Sequence, residues 1–124
     1  ADNAARKARL LRFKAAIHDD HNKTKLYHDA LTLYRELANK PGIAATLEDW
    51  ATFDYQTNNF KQSENKLKRA LFIRISIQDT IKTRKILRLL QKIYLQQNSV
   101  NKANSTNFWL DKLLCGQALN QKFD

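Results

Sequence analysis

Two glycines and one proline in 124 residues leave this chain with few ways to turn sharply. A β-rich fold of this length needs many tight turns, and tight turns draw on such residues. The scarcity points to a few long helices joined by short polar loops, and alanine, leucine, lysine, glutamine and isoleucine supply the helix formers. At 43% hydrophobic, the composition suits one packed domain over residues 1–124 rather than a disordered chain. No apolar run is long enough to cross a membrane. The one cysteine, Cys115, excludes an internal disulfide or a cysteine-based zinc site and reads as a packing residue beside Leu113 and Leu114.

Apolar periodicity predicts six helices, over about residues 5–20, 24–39, 43–57, 60–78, 80–97 and 100–119. The breaks fall at DDHNK, NKPG, QTNN, QDT and QQNS, with Pro41-Gly42 the clearest stop. Asn58-Asn59 and Asn98-Ser99 stand before the fourth and sixth helices, where short acceptors cap free N–H groups. Three stretches repeat a pattern: Tyr27, Ala30, Tyr34, Leu37; then Phe60, Ser63, Leu67, Ala70; then Val100, Ala103, Asn107, Leu110. The offsets, 33 and 40 residues, are those of stacked helical hairpins. These residues, with Trp50, Phe53 and Tyr55, read as packing positions, and Lys61, Lys66, Lys68 and Arg69 as a solvated face.

Over about residues 10–112 the pattern resembles the tetratricopeptide repeat family, and its 40-residue spacing is similar to the extended repeats of bacterial regulatory proteins. Leu47, Trp50 and Ala51, then Leu87, Leu90 and Tyr94, match that family's first-helix packing residues. The resemblance implies an all-α, right-handed array of about three antiparallel hairpins, an α-α superhelix with units near 10–42, 43–79 and 80–119. It implies a non-catalytic protein-interaction module or scaffold whose first helices line a concave groove for a peptide or helix. Matching positions give the groove set Arg12, Asp19, Glu48, Thr52, Gln56, Lys85, Arg88, Lys92 and Gln96. Some members clamp a terminal carboxylate with Asn and Lys; Asp19, Asp49 and Thr52 stand where the amides would be needed, so the clamp does not carry over. The second helix of each hairpin, which bears Lys61, Lys66 and Lys68, falls on the convex side.

Charge says more about the partner. Residues 59–98 carry ten basic residues against Glu64 and Asp79 and hold most of the net +10. Such a field favours an acidic partner, whether an acidic protein segment, nucleic acid or an anionic membrane surface: the protein segment is expected first, with nucleic acid binding through residues 61–92 as the alternative. Lys85, Arg88 and Lys92 share one helix face while Leu87, Leu90 and Tyr94 point elsewhere, and folding gains nothing from like charges at that spacing. The last helix carries Phe108, Trp109, Leu110, Leu113 and Leu114, more apolar surface than one neighbour covers. Self-association, or a docked partner, is expected there.

No nucleophile elbow, phosphate loop or paired-carboxylate pattern stands out, so neither an enzyme nor a cofactor is expected. His18 and His21, with Asp19 or Asp20, have the spacing of a metal pair, but the stretch reads first as a polar inter-helix turn. The opening ADNAARK would suit the residues that follow a signal-peptidase cut, leaving a cytoplasmic and an exported location both open.

Overall fold

A computed structural model describes residues 2–17 and 22–114. They form α1 (Asp2–Ile17), α2 (Asn22–Glu36), α3 (Lys40–Gln56), α4 (Phe60–Ser76), α5 (Thr80–Gln96) and α6 (Val100–Leu114). No strand occurs among the described residues. Chain neighbours are spatial neighbours: α1 packs on α2, α3 on α4 and α5 on α6, and these hairpins join through α2–α3 and α4–α5. The protein is an all-α array of helical hairpins. No described helix is long and apolar enough to cross a membrane.

The turns are one device used four times. Ala38, Asn58, Gln78 and Asn98, twenty residues apart, take φ of 52°, 63°, 58° and 56°. At each, two backbone bonds close the helix end: Asn58 N donates to Tyr55 O at 3.1 Å, and Asn59 N to Asp54 O at 2.7 Å. The residue that ends one helix then starts the next. Asn39 Oδ1 accepts from Gly42 N at 2.9 Å, and Asp79 Oδ1 from Lys82 N at 3.1 Å. Glycine, the residue with least strain at positive φ, occupies none of the four positions, which is why glycine content did not reveal them.

Pro41-Gly42 is not a stop. Both residues lie inside α3, which begins at Lys40. Proline is tolerated in a first turn because its missing N–H has no intrahelical partner there. Gly42 packs beneath the Tyr34 ring, where a β-carbon would collide with it.

The even turns also reset the repeat. Counting back 40 residues from Ser63, Leu67 and Ala70 reaches Lys23, Tyr27 and Ala30; counting forward reaches Ala103, Asn107 and Leu110. The 33-residue offset is therefore a slip of seven residues, two helical turns on the same face, caused by Lys23 standing where the later hairpins have a small residue. Lys23 is nonetheless buried, as are Ser63 and Ala103. Ser63 Oγ donates to Ala51 O at 2.8 Å, which marks how closely α3 and α4 approach.

Leu47, Leu67, Leu87 and Leu90 form the centre of the core with Ala51, Ala70, Ile86 and Ile93. Trp50, Tyr55 and Phe60 only border it, half-buried. Val100 and Asn107 are exposed rather than packed, and Asn107 accepts from Gln91 Nε2 at 2.5 Å.

Candidate functional site

The basic stretch from Lys61 to Lys92 divides into two halves of different chemistry. On α4 Lys61, Lys66, Lys68 and Arg74 are engaged. Lys66 Nζ lies 2.6 Å from Asp54 Oδ2 and 4.6 Å from the Trp50 ring centroid. Lys68 Nζ lies 3.1 Å from Glu64 Oε2, and Lys61 Nζ 3.8 Å from Glu64 Oε1. Arg74, itself buried, holds Glu48 at 2.8 Å and Asp79 at 3.2 Å. Lys61, Lys68 and Arg69 are exposed, as a solvated face requires, while Lys66 is turned inward; Lys61 and Lys68 reach from that face to the buried Glu64, and Lys66 meets the buried Asp54. Burial alone would push Glu64 up, but Lys68, the Tyr94 hydroxyl at 3.1 Å and Lys61 outweigh it and hold the carboxyl below its usual range.

On α5 Lys82 acts on Glu48 and Asp49, but the outward-facing cations are not engaged. Lys85, Arg88 and Lys92 are exposed, and none has an ion pair with a described residue. They share their face with Ile81 and Leu95, which are 69% and 55% exposed. An apolar side chain thus stands at either end of the cationic row, and the whole face from Ile81 to Leu95 is about 21 Å long at 1.5 Å per residue. The 40-residue offset carries Thr52 to Lys92 and Gln56 to Gln96, so Lys92 and Gln96 repeat the phase of two other expected groove residues.

Thr52 and Gln56 line a pocket of about 230 Å³ with Ala16, Lys23, Tyr27, Asp49 and Phe53, between the first hairpin and α3. Lys23 Nζ lies 4.9 Å from the Phe53 ring centroid. Arg12 is half-buried at this edge, its Nε 3.8 Å from Asp49 Oδ2. Burial pushes Asp49 up, and Arg12 and Lys82 offset this in part. Burial, then Asp49, raises the Tyr27 phenol to about 12. Glu48 is set apart from the pocket: Arg74 engages its carboxylate, and burial raises its pKa despite that partner. Asp19, with the rest of the His18–His21 stretch, lies outside the described residues, as does Cys115.

The structure thus brings Thr52 and Gln56 together in one pocket, with Arg12 paired to Asp49 of its lining, places Lys85, Arg88, Lys92 and Gln96 along one helix, and gives Glu48 a structural partner. Sequence reading missed Glu64, Asp54 and Arg74. The signals were present: Lys61 and Lys68 lie three and four residues from Glu64, and Asp54–Lys66 repeats the 12-residue separation of Ala51–Ser63. At the last helix Phe108 is 55% exposed and Trp109 half-buried, while the side chains of Leu113 and Leu114 fall outside the description.

Fold and site together define an all-α helical-hairpin array with an unneutralised cationic face. The chain matches no family model, no curated protein and no solved structure.

Proposed function

We propose that the chain is a tetratricopeptide-like, non-catalytic interaction module that holds an acidic peptide or helix of a partner protein along α5. The observation that carries this reading is the contrast between α4 and α5. Lys61, Lys66 and Lys68 on α4 have interior carboxylates to neutralise. Lys85, Arg88 and Lys92 have none, and an anionic ligand would relieve their mutual repulsion of a few tenths of a kcal/mol per pair. Ile81 and Leu95 at either end of the row suit an amphipathic partner with apolar anchors outside an acidic centre. The even hairpin spacing and the close α3–α4 approach at Ser63 support the repeat reading.

Capture from the native host tests it. K85E/R88E/K92E should fold and melt like the parent and lose the partner. Retention of the same partner by that variant would refute the assignment of α5. Nucleic acid as the main captured species would replace it with the polyanion alternative.

A further inference from the structure

Eight large apolar side chains are more than half exposed among the described residues, and three of them share α1: Leu10, Phe13 and Ile17, at 59%, 51% and 79%. Their spacing of three and four residues places them within about 60° of one another on the helix. Arg6 continues the same line, Arg9 lies along one edge, and Lys7 and Lys14 lie along the other. All four are exposed, and none has an ion pair with a described residue. The opposite side of α1 is the packed one, where Ala8 and Ala15 are fully buried. α1 therefore presents an apolar ridge with cations on both edges.

Three occupants compete for this ridge. A second copy seated through its own α1 or α5 is disfavoured by charge, because both faces are cationic and would meet α1 with like sign. The acidic segment assigned to α5 meets cations at its centre and apolar residues at its ends, whereas α1 reverses that order, with Leu10, Phe13 and Ile17 in the middle and cations along both edges. A flat anionic surface fits both features: the ridge enters the acyl boundary while the flanking lysine and arginine stems reach up to the headgroups. We propose that the outer face of α1 docks on an anionic lipid bilayer, lying in the interface plane with Leu10, Phe13 and Ile17 inserted. This surface is separate from α5, so the array can hold a protein segment and a membrane at once.

Co-flotation of the full chain with vesicles tests the assignment. Vesicles of phosphatidylcholine with phosphatidylglycerol should bind at least about tenfold more tightly than phosphatidylcholine alone. L10S/F13S/I17S, which alters exposed positions only, should keep the parental melting curve and lose about tenfold or more in binding. R6Q/K7Q/R9Q/K14Q should abolish the preference for the anionic lipid, and it reports on the same surface should the first variant fold poorly. No binding to the anionic vesicles would overturn the proposal. Binding that both variants leave unchanged would also overturn it, because the attraction would then belong to the net charge of the molecule and not to α1.

Discussion

Tyr94→Phe removes one oxygen from the junction between α4 and α5, and its cost can be worked from the contacts there. Glu64 is 1% exposed. It accepts from Tyr94 Oη at 3.1 Å and from Lys68 Nζ at 3.1 Å, with Lys61 Nζ at 3.8 Å. A hydrogen bond to a charged acceptor contributes about 1.5–3 kcal/mol, and the vacated site beside this carboxylate is closed to bulk water. A loss of about 2 kcal/mol is therefore expected for Tyr94→Phe. Glu64→Gln keeps an acceptor for the phenol but drops the charge, and about 1 kcal/mol is expected there. Because the two groups touch, the double variant should deviate from additivity by about 0.5 kcal/mol or more. Urea unfolding at neutral pH, with unchanged m-values, measures all three. A Tyr94→Phe loss below about 0.5 kcal/mol, or strict additivity, would show that the phenol and carboxylate do not hold the second and third hairpins together. The pH dependence has a fixed sign. Since the folded pKa of Glu64 lies below its ordinary 4.5, its contribution is present above 4.5 and is lost as pH falls through the lower folded value. Glu64→Gln should accordingly be less acid-sensitive than the parent.

Three further outcomes follow from the same contacts. K61Q/K66Q/K68Q should lose about 3 kcal/mol or more by stranding Asp54 and Glu64, whereas K85Q/R88Q/K92Q should be neutral or slightly stabilised; equal urea midpoints would contradict the division of the basic stretch. Ala38→Gly and Gln78→Gly should each raise stability by up to about 1 kcal/mol by relieving left-handed backbone at 52° and 58°, read as a higher melting temperature. Gly42→Ala should cost about 1–3 kcal/mol by driving a methyl group into the Tyr34 ring, and Tyr34→Ala in the same chain should remove most of that penalty in a double-mutant cycle.

The helices were legible because their apolar periodicity is strong and their breaks polar: the observed starts at Phe60, Thr80 and Val100 are where the spacing puts them. What hid the 20-residue beat was the chemistry at its turns. Positive φ is carried by alanine, asparagine and glutamine, so no glycine marks it, and Lys23 masks the small-residue position in the first hairpin. On the lysine-rich face of α4 only Lys66 departs from the expected solvated face, for a related reason. A lysine paired across a hairpin to a buried aspartate has the same helical spacing as a solvated one, and only the partner's burial tells them apart. The α5 cations were legible, since an unpaired charge row needs no tertiary partner to be seen, but Ile81 and Leu95 beside them are distinguished from packing residues only by their exposure.

Capture of an acidic segment by α5 is tested most directly by titrating the chain with an amphipathic peptide that has a glutamate-rich centre and apolar ends, and with unrelated duplex DNA, over a series of salt concentrations. The peptide should bind saturably, K85E/R88E/K92E should abolish that binding without changing the melting curve, and DNA should bind weakly and fade steeply with salt. Equal, salt-steep binding of both ligands, left intact by the triple substitution, would contradict the assignment and make the whole basic field, rather than α5, the binding surface.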